Sequence, residues 1–121
     1  MARPASLKVL PSEPVSIECA GTTPHVFRCK VWLKPAGTDW QSKGKATFST
    51  GTPGRIDIPQ PLPSGTKLQC WLGIVGKQDT PYRAELRVEQ EGAVVEGGNW
   101  AEEGPMTGKS ATTAWILELV N

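Results

Sequence analysis

The sequence predicts an all-β fold, a single antiparallel β-sandwich or jelly-roll-like domain of about eight strands over residues 1–121, on three observations. Apolar and polar residues alternate with period two in segment after segment, as strands with one buried face require. The 13 Gly and 11 Pro among 121 residues interrupt long helices while supplying turns. Turn signals recur about every 8–12 residues, the rhythm of a sandwich rather than of βαβ units. The length excludes a Rossmann pair, a TIM barrel or a kinase.

Taken in order, Val15, Ile17 and Cys19 alternate with Ser16 and Glu18 in a first half-buried strand. Phe27, Cys29, Val31 and Leu33 alternate with Arg28, Lys30, Trp32 and Lys34 until Pro35-Ala-Gly37 stops the run. Ala46–Phe48 and Arg55–Ile58 are shorter strands, expected to form a hairpin across Thr50–Gly54. Beyond the Pro59–Gly65 connector, Leu68, Cys70, Leu72 and Ile74 share one face, and Lys67, Gln69, Trp71 and Gly73 the other. Tyr82, Ala84, Leu86 and Val88 alternate with Arg83, Glu85, Arg87 and Glu89. Residues 92–111 are rich in glycine and are expected to give a brief strand at Val94-Val95 and then a long irregular loop. Thr112–Val120 is apolar on both faces, as in a central strand, with a helix as the competing reading.

Cys19, Trp32 and Cys70 together resemble the Cys, Trp, Cys order of immunoglobulin domains. The chain departs from that pattern at Leu68, where those domains carry Tyr, at the extra Cys29, and in the roughly 50 residues after Cys70. Three cysteines leave at least one unpaired, no leader is visible after Met1, and no apolar run approaches a membrane span, so a cytoplasmic protein without a membrane span is expected unless a leader has been trimmed.

Several chemistries find little support. Gly104–Ser110 resembles a phosphate-binding P-loop, but it has three residues between its glycines where the motif has four, and no helix is expected after it. His25 is the sole histidine, so neither a multi-histidine metal site nor a nucleophile–base pair can be assembled around it. A Cys₃His zinc site is disfavoured because Cys19, Cys29 and Cys70 take core-facing positions. Glu85, Glu89 and Glu91 read as one solvated face, and Glu96, Glu102, Glu103 and Asn99 offer calcium only oxygen atoms without EF-hand spacing. No catalytic residue, metal or cofactor is therefore assigned, and the protein is read as no enzyme.

Net charge is +1, but the distribution is uneven: residues 1–77 hold 10 basic and 4 acidic side chains, and residues 78–121 hold 3 and 8. Either the two halves form opposed surfaces that meet between copies, or strands from both interleave their charges.

The most informative feature is aromatic. Trp32 falls among Arg28, Lys30 and Lys34, and Trp71 with Lys67 and Gln69, each on the polar side of its strand. On neighbouring strands they would form an indole platform flanked by donors, suited to the apolar face of a sugar ring, a nucleobase or an extended peptide. Alternatively, the 92–111 segment or Trp40 covers them as a second small core. Asn99 and Trp100, expected in a loop, are added to the candidate site. The reading is a non-catalytic, lectin-like binding module for carbohydrate or a protein partner. Its alternative is a self-assembling homo-oligomeric secretion, phage or virion component with oppositely charged faces. Nucleic acid is disfavoured by the near-neutral charge.

Overall fold

The computed structural model describes residues 3–10, 12–59 and 62–120. Among them, nine strands form two packed sheets and no helix occurs, which removes the helical reading of the last segment. In chain order they are β1 (Ser6–Lys8), β2 (Val15–Gly21), β3 (Val26–Lys34), β4 (Gln41–Ser49), β5 (Gly54–Ile58), β6 (Thr66–Val75), β7 (Tyr82–Gln90), β8 (Ala93–Gly104) and β9 (Ser110–Val120). One sheet runs β1-β9-β6-β3-β4 and the other β5-β2-β7-β8. All pairings between strands are antiparallel except β1 with β9.

The alternation explains the packing. Ile17, Phe27, Leu33, Leu72, Leu86 and Leu117, the apolar members of their strands, are each inaccessible to solvent between the sheets. Phe27 and Phe48 stack there with centroids 4.9 Å apart. Cys19 from one sheet and Cys29 and Cys70 from the other are all buried and unbridged. A hydrogen bond with Cys29 and then burial push the Cys19 thiol above its usual range, and burial does the same to Cys70.

Three expectations are corrected. The segment expected to form a long loop contains the 12-residue β8, because Glu91 and Gly92, with φ of 53° and 76°, close a two-residue hairpin with β7. Its alternation is hidden by a bulge: Arg87 faces Asn99 and Glu89 faces Val94, so residues 95–98 are accommodated opposite Val88 alone. The hairpin expected across Thr50–Gly54 does not form either. Its turn carries the chain from one sheet to the other, and β4 pairs with β3 while β5 pairs with β2. Finally, Glu89 is buried at 8% exposure, so Glu85, Glu89 and Glu91 do not share one solvated face.

Candidate functional site

Antiparallel pairing of β3 with β6 sets Trp32 opposite Gln69 and Lys30 opposite Trp71. Side chains two apart on a strand share a face, so Arg28, Lys30, Trp32, Lys67, Gln69 and Trp71 meet on the outer surface of the five-stranded sheet. The two indoles are diagonal neighbours and both are half-buried. Of the 92–111 segment, β8 belongs to the other sheet and does not cover them, while Ser110 and Ala111, on β9, flank Trp71 within the same sheet. Trp40 lies in the connector before β4 and is 37% exposed.

Trp71 has a particular seat. Its indole lies along its own strand over Gly73, so closely that a β-carbon on Gly73 would come 2.5 Å from the ring. The Lys30 ammonium stands 5.0 Å from the ring centroid, a cation–π contact. Beside the indole is a shallow, mainly apolar depression of about 320 Å³, whose lining includes Val26, Arg28 and Val75 together with Thr47, Ser110 and Thr112. A second depression, of about 390 Å³, is lined by Lys30, Trp32, Ser42, Gly44 and Lys45. A third, of about 270 Å³, lies between Lys34 and Lys67 at the end of the strands.

Charge on this face is one-sided. Lys8, Arg28, Lys30, Lys34, Lys45 and Lys67 point outward with Glu118 as the acidic residue among them, and among the described residues none of the six cations makes an ion pair. Lys30 faces Lys45 and Lys34 faces Lys67 in register, an arrangement that costs stability.

Asn99 and Trp100 are not brought to this face. Asn99 is exposed on the outer side of β8, in the opposite sheet. Trp100, expected in a loop, is a core residue at 2% exposure, edge-on to Trp115 with centroids 6.2 Å apart. Its indole N–H donates to Glu102 at 2.8 Å, and Arg3 donates to both oxygens of the same buried carboxylate while lying over Trp115. His25, also buried, donates from Nε2 to the Thr80 carbonyl at 3.0 Å and accepts the Thr23 hydroxyl proton at Nδ1 at 2.8 Å. Both ring nitrogens are thereby engaged inside one end of the sandwich. Among the described residues no cluster of three His, Cys, Asp or Glu is placed to hold a metal ion, and no helix is long and apolar enough to cross a membrane.

Sequence reasoning missed Lys45, the seat at Gly73 and the hydroxyls of Thr47, Ser110 and Thr112. Gly73 carried a signal, sharing Trp71's face two residues along the strand, where a large ring can cover a glycine. Lys45 and the hydroxyls became neighbours only through long-range pairing. Comparison of the chain with protein-family models, with curated proteins and with solved structures finds no match.

Proposed function

We propose that the protein is a non-catalytic binding module that takes carbohydrate on the outer face of the five-stranded sheet. The observation that carries this reading is the Trp71 indole, seated over Gly73 on the outer face beside a depression that Thr47, Ser110 and Thr112 help to line. A flat aromatic surface stacks against the apolar face of a sugar ring while neighbouring hydroxyls and amides bond its hydroxyls. Trp71 supplies the ring in one depression and Trp32 in the next; Gln69, Arg28 and Lys30 supply donors between them.

A glycan array probed with the purified protein tests the reading, beside the Trp71→Ala and Trp32→Ala variants. Specific binding that disappears in folded variants supports it, and silence across the array removes it.

The second reading, a self-assembling protein, draws support from three apolar side chains on the same face. Val26 and Val75 face each other in register at 52% and 61% exposure, and Ile116 is 52% exposed. Light scattering over a range of concentrations distinguishes it, since a module without self-association stays at one size.

A further inference from the structure

The carbohydrate reading does not account for one feature of the face, namely a surplus of cations that have no ion-pair partner among the described residues. We propose that the ligand is an acidic glycan, one bearing uronate or sulfate groups, held lengthwise along β3. The proposal rests on the carbohydrate reading and adds the charge of the ligand and its path.

The cations form a track. Arg28, Lys30 and Lys34 project outward along β3, with Lys45 opposite Lys30 and Lys67 opposite Lys34. Alternate residues of a strand are about 7 Å apart, so the track from Arg28 to Lys34 extends about 20 Å. The three depressions lie along it: Arg28 lines the one beside Trp71, Lys30 and Lys45 line the one beside Trp32, and Lys34 and Lys67 flank the third. An oligomer seated along this line would meet a positive charge at each step and an indole at two of them.

The register strengthens the case. Lys30 faces Lys45 and Lys34 faces Lys67 directly, although opposite or neutral partners would hold the sheet together better; Glu118 is in register with Lys67 on its other side, while Lys34 and Lys45 have no acidic residue opposite them among the described residues. Local rules of this kind are broken where a site requires it. An anionic ligand would turn both repulsive pairs into charge-assisted contacts. The opposite sheet shows that the chain can pair its charges: Glu18 there reaches both Arg55 and Arg87.

A glycan fits the track better than single-stranded nucleic acid. Trp71 sits over Gly73, and the depression beside it is lined in part by Thr47, Ser110 and Thr112, residues suited to a hydroxyl-rich ring. The net charge of +1 lacks the general basic footprint of a single-strand binder, although such a binder would also use stacked rings along a basic groove.

The test is calorimetric titration of the whole chain with a hexa-uronate, a neutral hexasaccharide and a short oligothymidylate, at low and at about 0.5 M salt. The hexa-uronate is expected to bind best and to weaken as salt rises. Replacing Lys30→Gln and Lys34→Gln together should weaken it by about 100-fold, roughly tenfold for each lost contact. The same double variant should melt within about a degree or two of the parent, because two repulsive pairs are relieved while the Lys30 contact with the Trp71 ring is lost, and its measured melting temperature separates lost binding from unfolding. Arg87→Gln on the other sheet should leave affinity unchanged. Equal binding of the neutral sugar, unaffected by the lysine changes but lost in Trp71→Ala, overturns the acidic ligand and keeps the carbohydrate reading. Preference for oligothymidylate, or binding of none of the three, overturns both.

Discussion

On the outer surface of the four-stranded sheet, Glu18 draws Arg55 and Arg87 to 3.8 and 4.0 Å, Arg83 reaches Glu103 at 3.3 Å, and Arg55 reaches Asp57 at 3.0 Å; on the five-stranded sheet, lysine faces lysine. Both surfaces are built by the same alternation, and both cover one hydrophobic core. They differ in what the outward positions do for the fold. The first surface pairs its own charges across strands β5, β2, β7 and β8, including strands from the basic and the acidic halves of the chain. Interleaving of the two halves is therefore realised in that sheet. The second surface keeps its charges and its indoles without such partners, and carries a repulsion that the fold would be better without. Under the proposal above, what this surface meets, rather than what it stabilises, accounts for that arrangement.

The largest effect that sharpens this contrast comes from the tryptophans. Trp100→Ala should destabilise the protein by about 3–5 kcal/mol, whereas Trp32→Ala on the outer face should cost about 1 kcal/mol, as read by chemical denaturation. Similar losses for both would show that the outer face is a second core. Next comes the buried carboxylate: Arg3→Ala leaves Glu102 with the Trp100 N–H as its one remaining partner and should cost about 2 kcal/mol.

Charge changes on the two faces should have opposite signs. Glu18→Gln removes the shared partner of two arginines and should lower stability by about 0.5–1 kcal/mol, while Lys45→Gln should raise it by a few tenths. A loss in both variants would break the comparison.

The smallest expected effect is on pH dependence. Hydrogen bonds from Ser16 and from Arg55 hold the Asp57 carboxyl below its usual range. Its ionised form therefore stabilises the fold above the unfolded-state value near 4, and that contribution is lost as pH falls through the lower folded-state value. Glu13 has the opposite sign. The neighbouring Glu91 carboxylate raises it, so its repulsion costs stability at neutral pH and is relieved as pH falls through the raised value. Melting temperatures from about pH 6 to about pH 2 should rise slightly and then fall, and Asp57→Asn should flatten the acid-side fall.

Much of the fold was legible in the residues themselves. Every strand with clean alternation, from Val15 through Val88, lies in one of the two sheets with its apolar side inward. The illegible parts had specific causes. The bulge at residues 95–98 shifts the phase of β8 midway, so no single period runs through it. β1 is three residues long, too short to show a pattern, and is held by β9. Of the site, the shared face of Trp32 and Trp71 followed from phase alone once β3 and β6 were neighbours. The lysine pairs did not, because register is a property of two strands together.

The parallel pairing of β1 with β9 has a temporal consequence. Residues 6–8 align with residues 118–120, about 110 positions later. At a synthesis rate of about 5–20 residues per second, Leu7 leaves the ribosome roughly 6–20 s before the strand it pairs with has been made. Through that interval the five-stranded sheet lacks both β1 and β9, and β6 stands as an open edge until the last segment arrives.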